Sequence, residues 1–145
     1  MSSNEVQRTP SVQTTASLPD TGSMYDWIGG EAALRNLVNR FYDVMDSAAY
    51  ATTIRAMHQP DLTPMRASLF EYLSGWLGGP PLYVAKHGSP CISKPHAPFT
   101  IDQAASDAWM RCMNQALLDT DIPEQYRTLL TPAFERMAKM LINTR

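Results

Sequence analysis

The chain has 145 residues, of which 44% are hydrophobic and 18% charged, values typical of one globular domain. Its formal net charge of −2 gives no electrostatic basis for binding nucleic acid or an anionic membrane surface. Two cysteines without a C-x-x-C pair exclude a disulfide-rich scaffold and suit a reduced, cytoplasmic setting, and neither a secretory signal nor an apolar run of about 18 residues suggests export or a membrane span.

The N-terminal segment 1–23 is rich in Ser, Thr, Pro and Asp and has few large apolar side chains. Such a segment cannot bury enough surface to offset the entropy lost on ordering. We therefore predict a disordered extension at 1–23 and a folded domain at 24–145. The domain opens with a short helical turn at Met24–Ile28, followed by a turn at Gly29-Gly30.

Apolar spacing of three and four residues predicts two helices in the first half of the domain. The first runs from Glu31 to about Ser47. The second runs from about Thr63 to Leu77, with Thr63 as its N-cap and Pro64 in its first turn. The Gly-Gly-Pro-Pro run at 78–81 ends this helix.

The next segment, 78–100, contains five of the eleven prolines and three of the seven glycines. A long regular helix is excluded there, yet large apolar side chains recur, so we expect this segment to wrap a bound group. A third helix is predicted from Asp102, a suitable N-cap, to about Leu118.

A fourth helix follows Pro123, and Pro132 inside it should kink or restart it with Thr131 as a new cap. No stretch shows the alternation of a β-strand. The predicted fold class is therefore all-α, with four main helices and one loop-rich segment.

Three histidines, His58, His87 and His96, are the candidate metal ligands. None has a zinc-site spacing, and no P-loop or Rossmann pattern occurs. His96 is distinguished by its setting, because prolines flank it and apolar Phe99 and Ile101 follow. A rigid, neutral imidazole in an apolar wall suits the proximal ligand of a haem iron.

Five motifs in the same order along the chain resemble those of group II truncated haemoglobins and together span about residues 24–143. The motifs are Tyr25-Asp26-Trp27-Ile28-Gly29-Gly30, Arg40-Phe41-Tyr42, Trp76-Leu77-Gly78-Gly79-Pro80-Pro81-Leu82-Tyr83, His96-Ala97-Pro98-Phe99-Thr100-Ile101 and Asp107-Ala108-Trp109-Met110-Arg111-Cys112-Met113. The resemblance implies a two-over-two helical sandwich around haem b, with a loop-rich proximal segment.

The resemblance also implies roles for single residues. His96 matches the proximal iron ligand, and Tyr42 and Trp109 match distal hydrogen-bond donors. His58 lies near a position that carries a distal histidine in some members; whether His58 or Met57 occupies it is left open. The remaining expected haem contacts are Phe41, Met65, Leu69, Phe70, Tyr72, Leu73, Tyr83, Lys94, Phe99, Ile101 and Trp109.

Two positions depart from the family pattern. Ser68 and Pro95 stand where members usually carry basic residues that pair with haem propionates. Such exposed pairs are worth about 1 kcal/mol each, so haem binding should survive their loss. The candidates to replace them are Lys94, Arg66, His87 and Tyr83.

The primary expectation is therefore a haem protein that binds oxygen, nitric oxide or carbon monoxide, as a monomer or homodimer. Two distal donors predict slow release, which favours storage, scavenging or chemistry over oxygen transport. The redox alternative is nitric oxide dioxygenation or peroxide reduction, with an external reductase as electron donor. A third possibility is a haem-based sensor, or a helical interaction module that has lost haem.

Overall fold

A computed structural model describes residues 18–144, which are helical or irregular without any strand. The prediction of an all-α fold is confirmed. A 3-10 turn at Ala49–Ala51 joins the second helix to the third. In chain order the helices are α1 (Met24–Ile28), α2 (Gly30–Ser47), α3 (Thr52–Ala56), α4 (Thr63–Trp76), α5 (Leu82–His87), α6 (Ser93–His96), α7 (Gln103–Asp119) and α8 (Glu124–Met140).

The four long helices form two packed pairs. Helix α2 packs against α4, α7 packs against α8, and α2 and α7 join the pairs. This is the two-over-two arrangement that the resemblance implies. The pairing buries the apolar face of each helix in one core, whose largest fully buried side chains are Phe41, Phe134, Leu34, Leu37, Met45, Leu73, Met113 and Leu117.

Two helix ends test the cap predictions. Asp102 caps α7 as predicted, since its carboxylate accepts a hydrogen bond from the Ala105 N–H at 2.8 Å. The prediction for Thr63 is wrong, because Thr63 is already the first residue of α4. The Asp61 carboxylate instead accepts from the Thr63 N–H at 3.0 Å, which lowers the pKa of Asp61.

Helix α8 runs through Pro132 without a restart, so the predicted new cap at Thr131 is also wrong. The Thr131 hydroxyl donates back to the Arg127 carbonyl at 3.0 Å, as in a helix interior. Leu130 and Phe134, on either side of the proline, are both buried. We attribute the continuity of the helix to this burial, which offsets the hydrogen bond that proline cannot make.

Helix α1 is hydrogen-bonded to the turn after α4 and packs closely against it. The Tyr25 N–H donates to the Leu77 carbonyl at 3.0 Å, and a Cβ added at Gly79 would lie 2.5 Å from the Tyr25 ring. Only glycine permits this approach. Trp27 Nε1 donates to the Thr21 carbonyl at 2.9 Å. Most of the predicted disordered extension, residues 1–17, lies outside the described residues.

The segment 78–100 matches its loop-rich prediction, with only the short helices α5 and α6 in it. Helix α5 packs against α4. The 3-10 turn and α3 were not predicted, because 48–57 holds too few large apolar residues to show a period. No helix within residues 18–144 is long and apolar enough to cross a membrane.

Candidate haem site

His96, the last residue of α6, is half-buried and held by the backbone. Its Nδ1 lies 2.6 Å from the Ile92 carbonyl oxygen. A carbonyl can only accept, so the proton is on Nδ1 and the Nε2 lone pair faces the opposite way. This is the tautomer and orientation that a metal-ligating histidine requires.

The number of protein ligands required distinguishes a zinc site from a haem site. Residues 18–144 contain no group of three or more His, Cys, Asp or Glu side chains able to hold a metal ion. A zinc site needs three or four such ligands. A porphyrin iron needs only one protein ligand, because the macrocycle supplies four nitrogens.

Tyr42 of α2 and Trp109 of α7 are brought together by Phe41. The Phe41 ring centroid lies 4.9 Å from that of Tyr42 and 5.0 Å from that of Trp109. Burial raises the pKa of Tyr42, and the nearby Arg66 charge opposes this only in part, so the phenol keeps its proton at neutral pH.

Tyr42 is 5% exposed and Trp109 is half-buried. Buried phenol and indole groups usually donate to a protein acceptor. Neither the Tyr42 hydroxyl nor Trp109 Nε1 donates to any acceptor in residues 18–144. Within the described residues, both side chains therefore keep an unused hydrogen-bond donor.

His58, just after α3, lies beside Tyr42 with its ring edge-on and 5.9 Å away between centroids. Its Nδ1 is 2.7 Å from the Ile54 carbonyl oxygen. Burial is the largest cause that lowers the pKa of His58, against the raising effect of the hydrogen bond to Ile54, and the Arg55 charge lowers this pKa further. Of the two residues between which the sequence left the choice open, His58 is the one whose ring contacts Tyr42.

Helix α4 contributes the residues expected on the distal face. Met65, Leu69 and Tyr72 are half-buried, and Leu73 is fully buried. Phe70 is also buried, and the Arg35 guanidinium of α2 covers its ring at 4.2 Å from the centroid.

In the segment 78–101, several apolar side chains are only partly covered by the other described residues. Phe99 is 43% exposed, although large apolar side chains in a domain this size are usually buried. Ile101 and Tyr83 are half-buried, and the Tyr83 ring packs edge-on against Tyr72. Lys94 is exposed at the start of α6.

Arg66 of α4, a candidate propionate partner, forms hydrogen bonds with residues of α2. It donates to the Asp43 carboxylate at 2.8 Å and to the Asn39 carbonyl at 2.9 Å. The Tyr83 ring lies 4.3 Å from His87, between centroids, at the end of α5. The other three candidates, Lys94, His87 and Tyr83, lie in the loop-rich segment 78–100.

Sequence reasoning missed the two carbonyls that orient His58 and His96. Each belongs to an isoleucine four residues earlier, Ile54 and Ile92, so the sequence carries Ile-x-x-x-His twice. Four residues is the spacing at which a side chain on a helical turn reaches the preceding carbonyl. The repeated Ile-x-x-x-His spacing is the sequence signal for these two contacts.

Two comparisons with known sequences both match globins. A sequence model of the bacterial-like globin family matches residues 23–143. A group 2 truncated hemoglobin of Bacillus subtilis is 32% identical over 114 residues, covering 79% of this chain and 84% of the relative.

Solved structures agree with this result. A cold-adapted truncated hemoglobin of Pseudoalteromonas haloplanktis is 44% identical with a TM-score of 0.82, covering 86% of this chain and all of that one. A group II 2-on-2 hemoglobin of Agrobacterium tumefaciens is 36% identical with a TM-score of 0.83, covering 89% and 100%.

Proposed function

Because this chain belongs to the bacterial-like globin family, as a group II truncated haemoglobin, we propose that it binds haem b through His96 and takes up oxygen and other diatomic ligands. When bound, haem supplies an iron with one free coordination position for such a ligand. The observation that carries the proposal is the Nδ1 hydrogen bond of His96 to the Ile92 carbonyl, which presents Nε2 as a ligand.

The remaining protein contacts follow from the positions of the half-buried apolar residues. Met65, Leu69 and Tyr72 of α4 line one face, and Phe99 and Ile101 line the face that carries His96. Covering these side chains removes apolar area from water, at about 25 cal/mol per Å². Lys94, His87 and Tyr83 take the propionates at the solvent edge, in place of the basic residues usual at Ser68 and Pro95.

Tyr42 and Trp109 stabilise the bound ligand by donating hydrogen bonds to it. Both donors are fixed by packing around Phe41, so little entropy is lost when a ligand arrives. A hydrogen bond to a ligand with partial negative charge contributes about 1–3 kcal/mol in such a pocket. We expect retention of oxygen rather than rapid delivery, and any redox turnover requires an external reductant.

Titration of the purified full chain with hemin tests the proposal directly. We expect one haem per chain, a Soret band, and a shift of that band when carbon monoxide is added after reduction. A chain that takes up no haem under these conditions would be a helical interaction module instead.

Substitution Trp109→Phe tests the distal role while keeping an aromatic ring in place. We expect oxygen release, measured by stopped-flow displacement with carbon monoxide, to become about tenfold faster, since losing about 1.4 kcal/mol changes a rate by that factor. Trp27→Phe is the matched control, because Trp27 donates to the Thr21 carbonyl and its ring stacks on Tyr126. An unchanged release rate in Trp109→Phe removes Trp109 from the distal role.

A further inference from the structure

Two tyrosines of neighbouring helices lie with their rings in direct contact. Tyr72 of α4, one of the proposed haem contacts, is half-buried. The Tyr83 ring of α5 meets it edge-on, with 5.4 Å between the ring centroids. This distance is within the range of aromatic contacts, about 4.5–7 Å. Because α4 and α5 pack against each other, the fold fixes the two phenols as a pair.

The pair ends at the protein surface. Tyr83 is half-buried, and the ring of exposed His87 lies 4.3 Å from it between centroids. The residues on either side of Tyr83 in the chain, Leu82 and Val84, are 39% and 40% exposed. Exposed apolar side chains favour contact with an apolar molecule over a strongly hydrated ion. This end of the pair is therefore suited to contact with a small aromatic molecule.

Tyr42, the other tyrosine of the candidate site, has different neighbours. It is 5% exposed, and the rings against it in the described part of the chain are those of Phe41 and His58. A phenol loses an electron more readily than a phenyl or an imidazole ring. An electron taken from Tyr42 is therefore not replaced from a neighbouring phenol, whereas one taken from Tyr72 can be replaced from Tyr83.

The protonation state of Tyr72 determines what moves when it is oxidised. Burial is the main cause that raises the pKa of Tyr72, so the phenol keeps its proton at neutral pH. Loss of an electron from a protonated phenol makes it a strong acid. Each oxidation of this side chain therefore releases one proton together with one electron.

We propose that Tyr72 and Tyr83 form an electron relay through which a small phenol, bound at the surface beside α5, supplies electrons to the haem site during reduction of hydrogen peroxide. The inference rests on haem binding through His96. Hydrogen peroxide is the oxidant: its O–O bond breaks, and it takes up two electrons and two protons and leaves as two water molecules.

Each electron reaches the haem site in three transfers. Tyr72 gives an electron to the site, Tyr83 then reduces Tyr72, and the bound phenol reduces Tyr83. The O–H bond of each tyrosine breaks when it is oxidised and forms again when the next electron and proton arrive. After two such passages both tyrosines are restored, and two phenols have each lost one electron and one proton to become phenoxyl radicals.

The test uses the full haem-loaded ferric chain with hydrogen peroxide and a nitroso spin trap. Freeze-quench electron paramagnetic resonance identifies the kind of radical, and peptide mass spectrometry locates the trapped residue. Tyr72→Phe and Tyr83→Phe keep the rings and remove only the hydroxyls. Tyr50→Phe is the matched control, because Tyr50 is also half-buried but its ring packs under the Arg111 guanidinium at 3.8 Å.

Oxidation of guaiacol, a small phenol, gives the second readout. Its rate is measured by absorbance and divided by the rate at which each ferric variant first reacts with hydrogen peroxide, measured by stopped flow. This ratio removes any effect that a substitution at a haem contact has on the reaction with peroxide itself.

We expect a tyrosyl radical in the wild-type protein, with the spin trap attached to Tyr83. Tyr72→Phe should lose the adduct on Tyr83, because the relay is interrupted before it. Tyr83→Phe should keep a tyrosyl signal, now from Tyr72. The guaiacol ratio should fall about tenfold in both variants, the change that about 1.4 kcal/mol in a barrier produces, and stay unchanged in Tyr50→Phe.

Three outcomes overturn the relay. They are a Tyr83 adduct that is undiminished in Tyr72→Phe, a guaiacol ratio equal to wild type in both variants, and a wild-type radical found on Tyr42, Trp109 or Cys91 in place of Tyr83. A wild-type chain without a Soret band would refute the haem proposal itself. That failure is visible in the absorbance spectrum before any peroxide is added.

Discussion

Replacement of His96 by alanine should abolish the protein bond to the iron and with it the spectrum of the native haem protein. His96 is held by the Ile92 carbonyl at 2.6 Å, and residues 18–144 offer no cluster of ligands to take its place. Losing a partner that merely orients a metal ligand costs about 10–100-fold in affinity, so losing the ligand itself should cost more. Hemin titration followed by Soret absorbance measures the loss.

Added imidazole provides the control for His96→Ala. Truncation to alanine leaves space for a free imidazole, which should restore much of the native spectrum if the only defect is the missing ligand. A variant that unfolds would show no such rescue, and its circular dichroism would fall. A variant that keeps the native spectrum without imidazole would show that the assignment of His96 is wrong and would transfer it to His58 or His87.

Among single substitutions in α8, Phe134→Ala should cause the largest loss in the free energy of unfolding. The side chain is fully buried in α8, where its ring stacks on Trp76 at 5.0 Å and lies 6.1 Å from Trp109. Removing a buried phenylalanine ring costs about 3–5 kcal/mol, because transfer free energy is lost and a cavity remains. Urea denaturation followed by circular dichroism measures the free energy of unfolding.

Two variants of α8 calibrate this measurement. Phe134→Leu keeps most of the buried volume, so its loss should be smaller than that of Phe134→Ala. Leu129→Ala changes a side chain that is 45% exposed and should alter stability only slightly. If Phe134→Ala loses less than about 1 kcal/mol, an average value for point substitutions, the aromatic stack is not a main support of the core.

The sequence by itself determined the features that depend on local order. Apolar spacing placed α2 and α7 to within one residue or so, and the carboxylate of Asp102 lies where a cap was predicted. The many glycines and prolines in 78–100 identified this segment as irregular. These features were predictable because their determining contacts lie within a few residues along the chain.

Local signals failed where buried contacts from distant segments decide the outcome. Pro132 has the pattern of a helix break, yet α8 continues between the buried side chains of Leu130 and Phe134. The contact between His58 and Tyr42 likewise had no local signal. It depends on α2, which places Tyr42 against the His58 ring.

The sequence alone therefore indicated the all-α fold, the family and the candidate residues. Only the tertiary structure decided how those residues lie together: Tyr42 and Trp109 both pack against Phe41, and the His58 ring lies edge-on beside Tyr42. The physical reason is that a hydrogen-bonding role depends on which partner a polar atom already has. Those partners, the Ile54 and Ile92 carbonyls above all, are fixed by backbone geometry that residue types do not specify.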